Sequence, residues 1–418
     1  MFKNIVHVNN KKRRMLRRKN IMKVLLTTDT YFPIINGVVI STYNLYNELI
    51  KLGHEVKILT LSQSGEEKIQ GDVYYLKSRG TRIYPGVRIG NPFLCNVLEE
   101  ILNWKPDIIH SQTEFTTFAL AKIIRKKLNI PEVHTYHTMY EDYMHYIKIP
   151  SKIGKSLSRK LTTRLLNSMD GVITPTQKVE DTLKSYGMNT NTYIVPTGID
   201  LCKLRSKISD SEKKNILEKY NIPKDIKKLI YIGRVAKEKN LDELISFYNE
   251  IYKDDRVVFI IVGDGPFLEE LRCKVKKLGI SNKVIFTGMI ENENIGQYYQ
   301  IGDIFINSST SETQGLTYIE ALASGVPVLC RSDKCNDDLI IDGVNGYKYN
   351  NKSEFKKYLD IMISNNEVLD EMQENTKINI EKYSTYNFVK KVEGIYYNLV
   401  NNYVEKTRRK DVDKILKL

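Results

Sequence analysis

Residues 303–346 constrain this chain more than any other stretch, because they spell out one complete unit of a parallel α/β sheet. An apolar run at 304–306 ends in Asn307 and a Ser/Thr tract. Gly315 then opens an amphipathic helix, and Gly325-Val326-Pro327 turns the chain into a second apolar run at 328–329. The order is strand, loop, helix, strand. It sets Glu312 in the loop and Glu320 one to two turns inside the helix. The N–H groups of Gly315, Leu316 and Thr317 lie at the helix start, where an anionic ligand is favoured. Carboxylates beside an anion site suit a sugar nucleotide, with hydroxyls for the acids and phosphates for the amides.

Two carboxylates could instead be the acid and base of a glycoside hydrolase, and spacing decides. Eight helical residues rise roughly 12 Å, whereas hydrolase pairs stand about 5–5.5 Å or 6.5–9.5 Å apart. The hydrolase is disfavoured. Glu312-x7-Glu320, followed by Ala-Leu-Ala-Ser-Gly-Val-Pro, resembles the E-x7-E element of retaining family 4 glycosyltransferases of the GT-B fold. The resemblance implies an α/β protein of two Rossmann-like parallel-sheet domains facing across a cleft. It also implies that Glu312 holds the hydroxyls of the donor sugar and Glu320 the ribose.

At 418 residues the chain exceeds what one core usually serves, so two α/β domains are expected. A basic arm is placed at 1–21, an acceptor and membrane-side domain at 22–198, and a nucleotide-sugar domain at 199–385. A helix crossing back to the first domain, with a tail, occupies 386–418. Formal net charge is +14 and the isoelectric point about 9.2, which calls for an anionic partner such as a nucleotide, a nucleic acid or an acidic membrane face. Cys95, Cys202, Cys273, Cys330 and Cys335 are scattered and form no C-x-x-C, which fits a reducing cytosol and argues against a zinc site. No run is long enough to span a bilayer, and the first residues lack the apolar core of a signal peptide. The protein is expected to stay inside the cell.

Ahead of residue 22, Lys11, Lys12, Arg13, Arg14, Arg17, Arg18 and Lys19 occur with no acid, which reads as a disordered arm. Met22-Lys23-Val24 looks like the natural start of a first strand. The loop from Asp29 to Gly37 leads into a helix with Val39, Tyr43, Tyr46 and Ile50 as its apolar positions, stopped at Gly53. This is a βαβ opening without G-x-G-x-x-G. By resemblance, Gly37 lets the backbone approach the donor phosphates, although a plain turn glycine is the alternative. A strand is expected over 104–112. The string His134-Thr-Tyr-His137-Thr-Met-Tyr-Glu-Asp-Tyr resembles a signature of bacterial diacylglycerol glucosyltransferases. That likeness puts His137 against the donor sugar and leaves His134 and His145 in supporting or structural roles.

From Lys148 to Met169 no acid occurs, and a helix is expected after Ser151. At 100° per residue Lys148, Lys152, Lys155 and Arg159 share one face, and Ile153, Leu157, Leu161 and Leu165 the other. The apolar face is expected to pack on the first domain while the basic face meets an anionic membrane surface. Further on, the strand at 228–233 ends in Arg234-Val-Ala-Lys-Glu-Lys239. Two cations at the carboxyl end of a parallel strand face the ligand crevice. They can neutralise a diphosphate leaving group without a metal, the task the family gives to such an Arg and Lys. The strand and loop at 283–290 make Ile290 the contact to the nucleobase by resemblance.

The narrower likeness implies transfer of glucose from UDP-glucose to diacylglycerol with retention, peripherally at the cytoplasmic face of the cell membrane. No metal or other cofactor is implied, and no nucleic-acid partner. The alternatives are a GT-B hexosyltransferase with a polysaccharide or peptide acceptor, a GT-B sugar-nucleotide epimerase, and a basic nucleic-acid-binding protein. For the last, the sequence offers no recognisable motif to pair with the charge.

Overall fold

The computed structural model describes residues 21–81, 88–91, 96–139, 141, 151–251 and 256–415, the side chains of 151–153 and 406–415 excepted. The basic arm up to residue 20, Cys95, His145 and Lys148 therefore lie outside the described residues, as does the side chain of Lys152. In chain order the strands are β1 (Lys23–Thr27), β2 (Glu55–Leu61), β3 (Lys68–Gln70), β4 (Val73–Leu76), β5 (Ser78–Gly80), β6 (Arg88–Gly90), β7 (Ile108–Ser111) and β8 (Glu132–Thr135). They continue with β9 (Gly171–Thr174), β10 (Thr192–Ile194), β11 (Lys227–Ile232), β12 (Val257–Val262), β13 (Val284–Gly288), β14 (Ile304–Asn307), β15 (Val328–Arg331) and β16 (Gly346–Tyr349).

One sheet has the order β10-β9-β8-β7-β1-β2-β4-β3 and the other β13-β12-β11-β14-β15-β16. In the second, every pairing is parallel. All six residues of β12, Val-Val-Phe-Ile-Ile-Val, are buried, as a parallel strand covered on both faces requires. Alternate residues feed two cores. Ile230, Ile260 and Phe305 join Tyr318 and Ile319 on one side, and Leu229, Phe259, Ile261 and Ile304 join Leu244 and Leu359 on the other. The order reverses between β11 and β14, so the loops after these two strands diverge and leave a crevice, the usual ligand position in such sheets.

The chain forms two compact units, one made of 1–35, 45–134 and 393–418, the other of 36–44 and 135–392. In the first unit β1, β2 and β7 are packed through Leu25, Leu59, Ile109 and Ile124. The later part of helix Thr385–Ile415 is held there by His54 Nε2 against Glu393 Oε1 at 3.0 Å and by His110 Nδ1 against the Tyr396 hydroxyl at 2.6 Å. Among the described residues no helix is long and apolar enough to cross a membrane.

Three sequence expectations are corrected. Trp104 ends helix Val97–Trp104 and does not start a strand; the left-handed Lys105, φ 57°, breaks that helix before β7 begins. Strands β3 to β6 went unread because they are only three or four residues long, and only β4, Val-Tyr-Tyr-Leu, carries alternating buried residues. In helix Gly37–Lys51 the buried stripe is Val39, Thr42, Leu45 and Leu49, while Tyr43 and Ile50 are exposed. A small polar Thr inside the stripe hid its period.

Two glycines bring the turn after β12 onto the turn after β11. A Cβ on Gly263, φ 138°, would meet the Gly233 carbonyl oxygen at 1.9 Å, and one on Gly265 would meet that of Val235 at 2.2 Å. Gly394, inside helix Thr385–Ile415, faces open space. Gly263→Ala should therefore lose about 1–3 kcal/mol of unfolding free energy, whereas Gly394→Ala should gain about 0.5–1 kcal/mol. Denaturant titration of the two variants would reveal this opposition of sign, and equal effects would refute it.

Candidate active site

Every residue assigned from the sequence to the sugar nucleotide, from Gly37 to Glu320, falls in the unit made of 36–44 and 135–392. At its centre is the loop between β14 and helix Leu316–Ala323. A Ser/Thr tract with no regular structure needs partners for its polar groups, and several side chains here tie the loop to other segments. Ser308 Oγ donates to the Asn240 carbonyl at 2.7 Å and Ser311 Oγ to that of Glu238 at 3.2 Å. Thr313 Oγ1 donates to the His137 carbonyl at 3.0 Å and Thr176 Oγ1 to that of Thr313 at 2.7 Å. The Gln314 amide accepts from Thr197 N at 2.7 Å and donates to Thr197 O at 3.0 Å.

Within this loop Glu312 Oε1 lies 2.6 Å from Lys239 Nζ, with the two side chains only 14% and 20% exposed. Burial pushes the Glu312 carboxyl up, but the Lys239 ammonium and hydrogen bonds from Lys239 and Ser309 outweigh it, so Glu312 sits below its ordinary range and is ionised. Lys239 reaches this point because the single turn Lys237–Lys239 ends at left-handed Asn240. Arg234 follows β11 through Gly233 and is 38% exposed, with Nη1 3.8 Å from Glu238 Oε1. The buried Tyr231 hydroxyl donates to the Arg234 carbonyl at 3.0 Å. The Arg234 turn is thus fixed at its main chain while its guanidinium faces solvent.

Gly315 is left-handed, φ 72°, and a Cβ there would lie 2.3 Å from the Tyr318 ring. Only glycine permits this abrupt start. Leu316 and Thr317 follow as the first two helical residues, whose N–H groups have no carbonyl partner in an α-helix. Gly37 faces Leu316, where a Cβ would lie at an ordinary 3.6 Å from Cδ1, so no neighbouring protein atom requires glycine there. In the second helical turn Glu320 Oε2 accepts from the buried Tyr299 hydroxyl at 2.8 Å. Burial raises the Glu320 carboxyl, and the Tyr299 hydrogen bond and the Lys203 charge only partly oppose it.

The two glutamates therefore have different partners and opposite perturbations. The loop character of 312–315 also means that helical rise alone does not measure their separation. Ile290 follows β13, packs against the core, and lines a groove of about 390 Å³ with Ile216, Met289 and Tyr298. Arg234, Lys239, Glu312 and Glu320 do not line that groove. Among the described residues no group of three or more His, Cys, Asp or Glu side chains is placed to hold a metal ion.

Sequence reasoning missed Lys178, whose Nζ donates to the Glu312 carbonyl at 3.1 Å, and Thr176 beside it. Both follow the carboxyl end of β9, the same placement that singled out Arg234. It also missed that Gly263 and Gly265 support the Arg234 turn, whose Val235 N–H donates to the Asp264 carbonyl at 2.9 Å.

The basic helix, Ser151–Leu166, needs two corrections. Leu157 and Leu161 are 59% and 56% exposed, not packed. Arg159 makes a two-point ion pair with Glu141, at 2.7 and 2.9 Å, so it is not a free cation. The acid lies ten residues ahead of the helix, outside the acid-free window. Lys155 is exposed, as are Lys160 and Arg164.

Comparison with known proteins agrees with this architecture. Residues 35–203 match the family described as Glycosyltransferase Family 4, and residues 212–379 match Glycosyl transferases group 1. The chain is 35% identical over 396 residues to an α-monoglucosyldiacylglycerol synthase of Streptococcus pneumoniae, covering 93% of this chain and 89% of that protein. It is 32% identical over 400 residues to the Acholeplasma laidlawii enzyme of the same name, covering 93% and 100%. The crystal structure of Anabaena Alr3699/HepE in complex with UDP and glucose has a TM-score of 0.73 at 16% identity, covering 90% of this chain and all of that one, a likeness of fold. The chain belongs to the family of the α-monoglucosyldiacylglycerol synthases and is a glycosyltransferase of the GT-B fold.

Proposed function

We propose that this glycosyltransferase moves glucose from UDP-glucose to diacylglycerol, with retention at the anomeric carbon and without a metal, peripherally at the cytoplasmic face of the membrane. The observation that carries the donor half is the Lys239–Glu312 contact beside the open helix start. It pairs a cation suited to phosphate with a carboxylate suited to hydroxyls. The names of the two relatives support the acceptor.

In this reading Arg234, Lys239 and the N–H groups of Gly315, Leu316 and Thr317 receive the diphosphate, with Gly37 alongside. Glu312 takes the sugar hydroxyls, His137 borders the sugar, Glu320 takes the ribose and Ile290 the base. The acceptor oxygen bonds to the anomeric carbon on the face from which UDP departs. The carbon–phosphate-oxygen bond breaks, and that oxygen takes the acceptor's proton. Relief of charge on the phosphate then supplies much of the barrier reduction, about 3–4 kcal/mol per well-placed donor.

The membrane reading draws on helix Ser151–Leu166. Lys148, Lys152 and Lys155 keep the role assigned from the sequence, Arg159 is shared with Glu141, and exposed Leu157 and Leu161 beside Lys160 and Arg164 add an apolar edge. Each cation near an anionic leaflet contributes about 1 kcal/mol, and the leucines can enter the interface.

Three outcomes test these assignments. Glu312→Gln should lower kcat by about 10²-fold or more while UDP affinity stays near parental, and Glu320→Ala should weaken UDP binding first; parallel losses in both variants would sink the division of roles. Arg234→Ala and Lys239→Ala should each slow transfer by about 10²-fold, with parental activity retained in EDTA. Activity abolished by EDTA and restored by magnesium would overturn the metal-free mechanism. Leu157→Glu with Leu161→Glu should release the protein from phosphatidylglycerol vesicles in a flotation assay and slow lipid glucosylation at unchanged Tm. Undiminished vesicle binding would move the anchor elsewhere.

A further inference from the structure

Lys178 is the second residue of helix Gln177–Ser185, directly after β9. Its Nζ lies 2.6 Å from Asp333 Oδ2, 3.1 Å from the Glu312 carbonyl and 3.2 Å from the Thr310 carbonyl. An ammonium has three N–H donors and no acceptor, so these contacts use every hydrogen it has. Lys178 therefore has none left for a substrate phosphate. The Asp333 side chain is 6% exposed, and its Oδ1 accepts from Cys335 N at 2.9 Å, so the anchor is itself fixed. Two residues earlier Thr176 Oγ1 caps the same helix by accepting from Val179 N and donates to the Thr313 carbonyl at 2.7 Å. One helix start thus grips the carbonyls of residues 310, 312 and 313, while Lys239 holds the Glu312 carboxylate.

We propose that Lys178, anchored by Asp333, is a positioning residue that locks the main chain around Glu312 and so aims its carboxylate at the transferred sugar. This rests on the assignment of Glu312 to that sugar. The cation matters through geometry: a neutral side chain would leave the part-buried Glu312 carbonyl and the more exposed Thr310 carbonyl to find other donors, and the loop would relax. A displacement of about 1 Å at a reacting group is enough to cost about 10²-fold in rate.

A purely structural role makes a different prediction, because a largely buried ion pair can be exchanged for apolar side chains with little loss of stability. The test compares parent, Glu312→Gln, Lys178→Met and the double variant Lys178→Met/Asp333→Leu, using UDP release from UDP-glucose with diacylglycerol micelles, UDP affinity and Tm. Lys178→Met should lower kcat by about 10²-fold with donor KM and UDP affinity near parental, and the double variant should regain Tm but not kcat. Loss of kcat that tracks Tm across the two variants overturns the proposal, as does a rise in donor KM with kcat kept. If Lys178→Met alone does not fold, the double variant decides by the same criterion. Parental kcat in Glu312→Gln would remove the donor reading and this proposal with it, whereas an impaired Glu312→Gln beside an unimpaired Lys178→Met removes this proposal alone.

Discussion

Glu312 and Lys239 are held 2.6 Å apart with little access to water, and that pair sets the terms for the surrounding structure. Withdrawing two charges from solvent costs several kcal/mol per ion, and attraction in a low-dielectric site offsets this only when geometry and additional hydrogen bonds are good. Stability is thus a weak reason to keep such a pair. Its effect is to hold an ionised carboxylate at one place. In the proposed reading, a diphosphate arriving at Lys239 would compete for the same ammonium and so free Glu312 for the sugar.

The pair can be held because the loop around it has little freedom of its own. Ser308, Ser311, Thr313 and Gln314 each bond to a main-chain group at another point of the chain. The short Ser and Thr side chains suit this work because they lose less rotamer entropy when fixed than a long side chain does. Beneath them, Gly233, Gly263 and Gly265 let two strand-end turns pack backbone on backbone, which fixes Arg234 at its main chain. Both devices sit where the strand order reverses, at the carboxyl ends of β11 and β14. The crevice follows from topology, and its chemistry from the loops.

Helix Ser151–Leu166 illustrates the limit of periodicity. Its 100° pattern separates cations from leucines, and a local rule sends leucines inward. Leu157 and Leu161 nevertheless stay exposed because the positions that face the protein are Thr162 and Leu166. Arg159, read as a free cation, is neutralised by Glu141, which no window over the helix contains. Charge patterning describes one element, whereas the field at a surface sums over every element packed near it.

The apolar runs of β1 and of β11 to β15, the glycine-opened helix and the carboxylates at 312 and 320 were legible in the sequence, because strand burial, helix starts and turn chemistry are local properties of a few consecutive residues. Arg234 and Lys239 were legible for a related reason: the end of a parallel strand is a ligand-facing position wherever it occurs. Lys178 and Asp333 lie 134 and 21 residues from Glu312, and nothing in their neighbours announces the contact. Tyr299 and Glu320 are likewise joined only in three dimensions, and two otherwise identical buried carboxyls behave differently because Glu312 has the Lys239 ammonium beside it, whereas the Tyr299 hydrogen bond only partly offsets the burial of Glu320. The chain alone determined which residue types stand at each strand end. Which partner each one meets, and hence whether it stays charged and where it points, was decided by packing, because hydrogen bonding and desolvation depend on distances between segments that sequence order does not contain.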